Sequence, residues 1–206
     1  MAERLASGRH HLSREQVAAN QRQRLFKALA VVMADRGYSN TTVDDLIKQA
    51  GVSKATFYQH FTSKQDCFLS AYAHMQQHLM GAVGAVPATG TPIEHFGAVL
   101  DRYLSFIALD PSTARLFLVE VYAAGPAAIR RRVELQQEFV TGVAEVFKAR
   151  SEADRFACQA LVAAISTLVV NTLTEADGDA VRALKEPILG YAERVMAESP
   201  QRPTAG

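Results

Sequence analysis

The stretch "TTVDDLIKQAGVSKATFYQHFTSKQDCF", residues 41–68, decides how the rest of the chain is read. Thr42 followed by Asp45 makes a capping box ahead of Val43, Leu46 and Ile47, whose spacing is helical. Gly51 ends that short helix, and Ser53 is placed to cap a second one. The second helix has Thr56 at its third position where an acid would favour the dipole, and residues 51–64 contain no Asp or Glu at all. At 100° per residue, Phe57 and Phe61 share one face, while Ala55, Thr56 and Gln59 point the opposite way with Tyr58 and His60 on the flanks. Two aromatic anchors under an outward strip of small and amide side chains, with proton donors at its edges, suit a helix that enters the major groove. There the strip reads base edges and the flanks grip phosphates. Helix, glycine turn and helix make a helix-turn-helix; an ordinary αα-corner with a polar face is the alternative.

The same string resembles the N-terminal signature of the TetR (tetracycline repressor) family of bacterial regulators, at motif level over residues 20–75. Beyond that stretch only the helix count and the apolar C-terminal helices agree with the family. The resemblance implies a homodimer that binds double-stranded operator DNA through its third helix, with a larger C-terminal domain for a small-molecule effector. By position it places DNA contacts on Thr42, Ser53, Lys54, Ala55, Thr56, Tyr58, His60 and Lys64. Gln59 joins them from the outward strip. Thr42 caps its helix and has a hydroxyl for a phosphate, and Lys64 adds charge to the free amides that open the fourth helix. The alternatives are local: Tyr58 packed on Lys54, His60 capping a carbonyl, and the Thr56 hydroxyl bonding back within its own helix.

Outward from this stretch the chain is helical throughout. Ser13 and Gln16 form a capping box before Val17, Leu25, Leu29 and Val32, and Gly37 closes that segment. Ser63 and Asp66 make a third box, opening the fourth helix. After the loop "PATGTP" further helical segments are expected at about 91–109, 111–123, 126–149, 152–174 and 178–198. No stretch sustains strand alternation. The expected fold is all-α, with about nine helices in two parts. Residues 1–62 form a three-helix helix-turn-helix domain with a basic N-terminal arm, and residues 63–206 an effector-binding and dimerisation domain.

Charge follows the same division. Residues 1–64 carry a net charge of +5, and residues 65–206 carry −4. A basic front on an acidic body suggests a polyanion for the front alone. The arm with Arg4, Arg9, His10, His11 and Arg14 could reach a minor groove; a solvated tail is the alternative. The polar N-terminus has no signal-peptide run, and "ALVAAISTLVVNTL" is read as too short for a membrane span. The expectation is a cytoplasmic, nucleoid-associated bacterial protein with no membrane partner. Cys67 and Cys158 match neither zinc nor disulfide spacing and read as small buried residues.

In the C-terminal part, Phe96, Leu100, Tyr103, Leu104, Phe117, Val121, Tyr122 and Phe139 recur at helical spacings. They read as core or, as the resemblance favours, as the lining of a largely apolar ligand cavity. The triplet Arg130–Arg132 is either a solvated face or a seat for an anionic ligand group. Leu161, Ile165 and Leu168, with Leu184, Ile188, Tyr191 and Val195, make two apolar stripes suited to a four-helix dimer interface; packing within one chain is the alternative. Pro187 should kink the last helix. No catalytic constellation, metal spacing or cofactor loop emerges, so neither cofactor nor metal is expected. The function expected is a ligand-responsive, DNA-binding transcriptional regulator, most simply a repressor released by its effector. A DNA-bound protein of the same fold with a protein partner, or without any effector, is the alternative, and a helical enzyme ranks last.

Overall fold

The computed structural model describes residues 13–175 and 178–197, and among these all regular structure is helical. The helices are α1 (Arg14–Asn40), α2 (Val43–Ala50), α3 (Lys54–His60), α4 (Lys64–Gly84), α5 (Pro92–Leu109), α6 (Pro111–Leu118), α7 (Pro126–Val146), α8 (Glu152–Glu175), α9 (Gly178–Ala183) and α10 (Lys185–Ala197), with a 3-10 turn at Glu120–Tyr122 after α6. Most of the expected N-terminal arm lies outside the described residues.

Local chemistry sets the boundaries. The boxes at Ser13 and Thr42 close as expected, with both partners bonded reciprocally. The third is only half made. Ser63 Oγ accepts from Asp66 N at 3.1 Å, but Asp66 Oδ2 reaches past the cap to the Thr62 N–H at 2.8 Å and its hydroxyl at 3.0 Å. Gly37 breaks α1 at φ 73°, ψ 167°, a conformation only glycine adopts without strain. The final segment is two helices rather than one kinked one. Pro187, the third residue of α10, has no N–H to give Ala183, and the ladder restarts with Leu184 N on Val181 O and Ile188 N on Leu184 O.

Apolar burial divides into two clusters. The first joins α1–α4 (Leu25, Leu29, Leu46, Phe57, Phe61, Phe68, Tyr72) to Leu116, Phe117, Val121 and Leu135 of α6, the 3-10 turn and α7. Phe61 and Cys67 sit in this one cluster on either side of residues 62 and 63, so the helix-turn-helix rests directly on α4 and on the α6–α7 corner. Two polar links tie the same joint: Glu120 Oε2 accepts from Tyr38 N at 2.7 Å, and Gln65 Nε2 donates to Ala124 O at 2.8 Å. The second cluster unites α5, α6, α7, α8, α9 and α10, and Phe139 touches both. Cys67 and Cys158 are buried thiols, as read.

Helix α8 corrects two expectations. Its apolar run alone looks too short for a membrane, yet the full 24-residue helix is long and apolar enough to cross one by length and composition. Leu161 and Ile165 were assigned to a dimer seam, with Ile188 of α10, but all three are buried in the second cluster of their own chain. What remains outside is Phe156 at 70% exposure and Leu168 and Tyr191 at 43% each, with Leu184 and Val195 half-buried. Spacing of 3 and 4 marks an apolar helix face but cannot tell which chain covers it.

Candidate nucleic-acid interface and interior cavity

Helix α2 turns into α3 through Gly51 in the left-handed region (φ 61°, ψ 40°), and Val52 N closes on Ile47 O at 3.1 Å. Ser53 Oγ accepts from Thr56 N at 3.0 Å and starts α3, which has no acid in its first turn. Phe57 and Phe61 are buried, with ring centroids 5.7 Å apart, and anchor the helix as its periodicity required. Lys54, Ala55, Tyr58 and Gln59 are exposed on the other side, and Thr56 is half-buried. The Tyr58 ring stands edge-on to Phe57, so its hydroxyl end is carried outward.

Several donors expected to be free are engaged inside the chain. Lys64 Nζ donates to Tyr38 O and Thr41 O, both at 2.7 Å, and sits 4.2 Å above the Tyr38 ring. Burial holds that ammonium below the usual lysine range. Lys64 therefore pins the end of α1 to the start of α4 instead of offering a free charge there. The Thr42 hydroxyl donates to Asp45 Oδ2 at 2.6 Å, so its proton is taken by its own capping box. Thr56 Oγ1 lies 2.8 Å from the Oγ of Ser53, the residue that caps the helix, rather than bonding back within α3. His60 Nε2 meets Gln21 Oε1 of α1 at 2.9 Å. Lys54 forms a surface pair with Asp44 at 3.3 Å, a contact worth only about 0–1 kcal/mol and easily exchanged.

One residue of this region escaped the sequence reading. Arg24 of α1 extends Nη2 to Ala50 O and, at 2.7 Å, to Gly51 O, which clamps the turn between α2 and α3. These carbonyls face outward from a helix end and lack intrahelical donors, so a cation is their natural partner. The only sequence signal is an arginine beside the buried Leu25, and its partners lie too far along the chain for periodicity to find.

Between α4, α5, α6, α7 and α8 lies a cavity of about 180 Å³ with an almost wholly apolar wall. Phe96, Leu100, Tyr103, Phe117 and Phe139 line it as expected. Leu104 and Val121 do not: they are buried in the second and first clusters respectively. Tyr122 is 55% exposed, and its hydroxyl accepts from Arg132 Nε at 2.8 Å outside the wall. Ile165 lines the cavity instead of a dimer seam, and Met75 and Leu79 bring α4 into the wall. Neither carries an aromatic signal, and both lie on α4, far along the chain from the aromatic-rich segment after residue 91. Tyr103 keeps accessible surface although protein surrounds it, because that surface faces the cavity. Burial pushes its phenol up to about 12, with the Arg132 charge opposing, so the hydroxyl stays protonated.

Residues 25–71 match the family model described as bacterial regulatory proteins, tetR family. Among curated proteins, the transcriptional activator FasR of Mycolicibacterium smegmatis is 31% identical over 106 residues, 51% of this chain and 48% of that protein. The nucleoid occlusion factor SlmA of Vibrio cholerae is 25% identical over 134 residues, 64% of this chain and 68% of that one. This chain thus spans about half the length of FasR. Among solved structures, a transcriptional regulator FadR from Bacillus subtilis in complex with stearoyl-CoA superposes with a TM-score of 0.68 at 20% identity, over 82% of this chain and 96% of that one.

Proposed function

We propose that this chain, which belongs to the tetR family of bacterial regulatory proteins, is a cytoplasmic, DNA-binding transcriptional regulator that responds to a small, largely apolar effector. The observation that carries the reading is the two-sided character of α3: Phe57 and Phe61 buried, and Lys54, Ala55, Tyr58 and Gln59 exposed beside a helix start without acidic residues. In this reading Gln59 and Lys54 address base edges in the major groove, and Ser53 and Tyr58 address phosphates. Two copies meet through the outer faces of α8 and α10, around Leu168 and Tyr191, and so present two α3 helices to one near-palindromic duplex. The effector occupies the cavity walled by Phe96, Leu100, Tyr103, Phe117 and Phe139. FadR of Bacillus subtilis, of like fold, binds an acyl-CoA, which supports an apolar ligand without naming it here. The effector releases the DNA in this account, which makes the protein a repressor.

The test is to sequence genomic fragments retained by the purified protein at physiological salt. Enrichment of one near-palindromic motif is expected. Retention of all fragments in proportion to their abundance would sink the reading.

A further inference from the structure

Among the described residues, the apolar cavity is lined by one cation, and no carboxylate pairs with it. Of the three consecutive arginines on α7, Arg130 is exposed and Arg131 pairs with Glu134 at 3.2 Å on the surface, while Arg132 alone lines the cavity. Its Nε donates to Tyr122 Oη at 2.8 Å and its Nη2 to Ser166 Oγ at 3.0 Å, and the guanidinium lies 5.3 Å from the Tyr122 ring centroid. All of these partners are neutral. Among the described residues Arg132 takes part in no ion pair. Among the described residues the one carboxylate lining the cavity, Asp110, is turned to Thr113, accepting from its N–H at 3.0 Å and its hydroxyl at 2.6 Å.

An arginine has five N–H donors in a planar fork, and two of Arg132's are used. The two bonds it makes fix the plane of the guanidinium and leave the rest of the fork available. Arg132 is half-buried at an apolar wall with no counter-ion, so an anion brought into the cavity would find an unanswered positive charge there. Close by, the Tyr72 hydroxyl is buried without a hydrogen-bond partner among the described residues. Arg132 acts electrostatically on both Tyr72 and Tyr103. The Tyr72 and Tyr103 hydroxyls therefore add neutral donors within electrostatic reach of Arg132.

We propose, resting on the effector reading above, that the cavity takes an apolar chain ending in a carboxylate. The carboxylate sits on Arg132 and the chain runs along Phe96, Leu100, Phe117 and Phe139. A single guanidinium matches a singly charged, planar head, whose two oxygens accept from its fork. A neutral chain of the same length fills the same wall but leaves the charge unanswered.

The test compares decanoate with decanol by calorimetry on the wild-type protein at neutral pH. Decanoate should bind at least about tenfold more tightly, since a hydrogen bond to a charged partner is roughly twice as strong as a neutral one. Arg132→Gln should bring decanoate down to the level of decanol while decanol binding stays within about twofold. Arg132→Lys, which keeps the charge and loses the fork, should restore part of the preference. Circular dichroism and the urea midpoint show whether each variant is folded, and the wild-type comparison needs no variant at all. Equal binding of acid and alcohol to the wild type would overturn the head-group proposal and leave the apolar pocket standing, as would an undiminished preference in folded Arg132→Gln. Failure of both compounds to bind the wild type would instead bring down the pocket reading on which the proposal rests.

Discussion

Lys64 shows most plainly what one residue can hide. Its position at the start of α4 suggests a phosphate contact, whereas its ammonium is held between Tyr38 O and Thr41 O. Lys64→Ala should therefore lower stability by about 1–3 kcal/mol, the usual worth of hydrogen bonds from a charged donor, seen as a lower urea midpoint. An unchanged midpoint with a salt slope of DNA binding reduced by about one per subunit would return Lys64 to the phosphates. Two histidines add a pH dependence. Burial, and then the charge of Arg22, holds His60 below the ordinary imidazole range. Burial, then His78 and Arg22, does the same for His74, whose Nε2 lies 3.2 Å from that of His78. A depressed histidine binds fewer protons folded than unfolded, so its stability is complete above about pH 6.5 and declines as the pH falls from there. The urea midpoint should fall between about pH 7.5 and 5.5, and fall less in His74→Gln; a midpoint that rises on acidification would contradict this. The anchors of α3 were legible from spacing alone, because burial of Phe57 and Phe61 is a property of one helix. The engagement of Lys64 and His60 was not legible, because their partners come from α1 and the loop behind it.

At the scale of elements, the turn between α2 and α3 holds α3 at its angle. A Cβ on Gly51 would meet Arg24 Nη2 at 2.8 Å in addition to the strain of φ +61°. Gly51→Ala should cost about 1–2 kcal/mol for the left-handed backbone, with further loss from the displaced clamp, measured by urea unfolding. Arg24→Ala should leave α3 folded but weaken duplex binding, since the turn loses its donor. The outer faces of α8 and α10 call for a paired test. Leu168→Glu with Tyr191→Glu, both at exposed positions, should give folded monomers in sedimentation, whereas a charge at Ile188 should unfold the second cluster. A dimer that survives the exposed pair would place the contact elsewhere. Caps, glycine stops and helix order were all readable, because each depends on residues within a few positions. The split at Leu184 was foreseeable only as a kink, since Pro187 removes one bond and the packing of α9 on α5 decides the rest.

On the scale of the whole molecule, the helix-turn-helix and the cavity share walls. Phe117 belongs to the first cluster with Phe57 and Phe68 and also lines the cavity, and Phe139 packs on both clusters. Helix α4 starts under the helix-turn-helix and passes Met75 and Leu79 into the same wall. In the proposed mechanism a ligand that pushes on this wall also pushes on the support of α3, which the links Glu120–Tyr38 and Gln65–Ala124 tie to α6–α7. Coupling of this kind is commonly about 1–3 kcal/mol and is reciprocal, so operator DNA should weaken effector binding by the factor by which effector weakens DNA binding. An effector that binds equally well with and without DNA would refute it. The cavity was legible in outline from its aromatic residues, while its charged end was not, since three adjacent arginines look alike until the helix turns one of them inward. All of this rests on α3 being the element that reads DNA. The most direct measurement selects binding sites from random duplexes with the wild-type protein and with Gln59→Ala. The wild type should yield a two-fold motif whose half-sites lie roughly 34–36 Å or a multiple apart, and Gln59→Ala should lose about 1–3 kcal/mol of preference at one base pair in each half-site. The same motif with the same preferences from both proteins would contradict the assignment of α3.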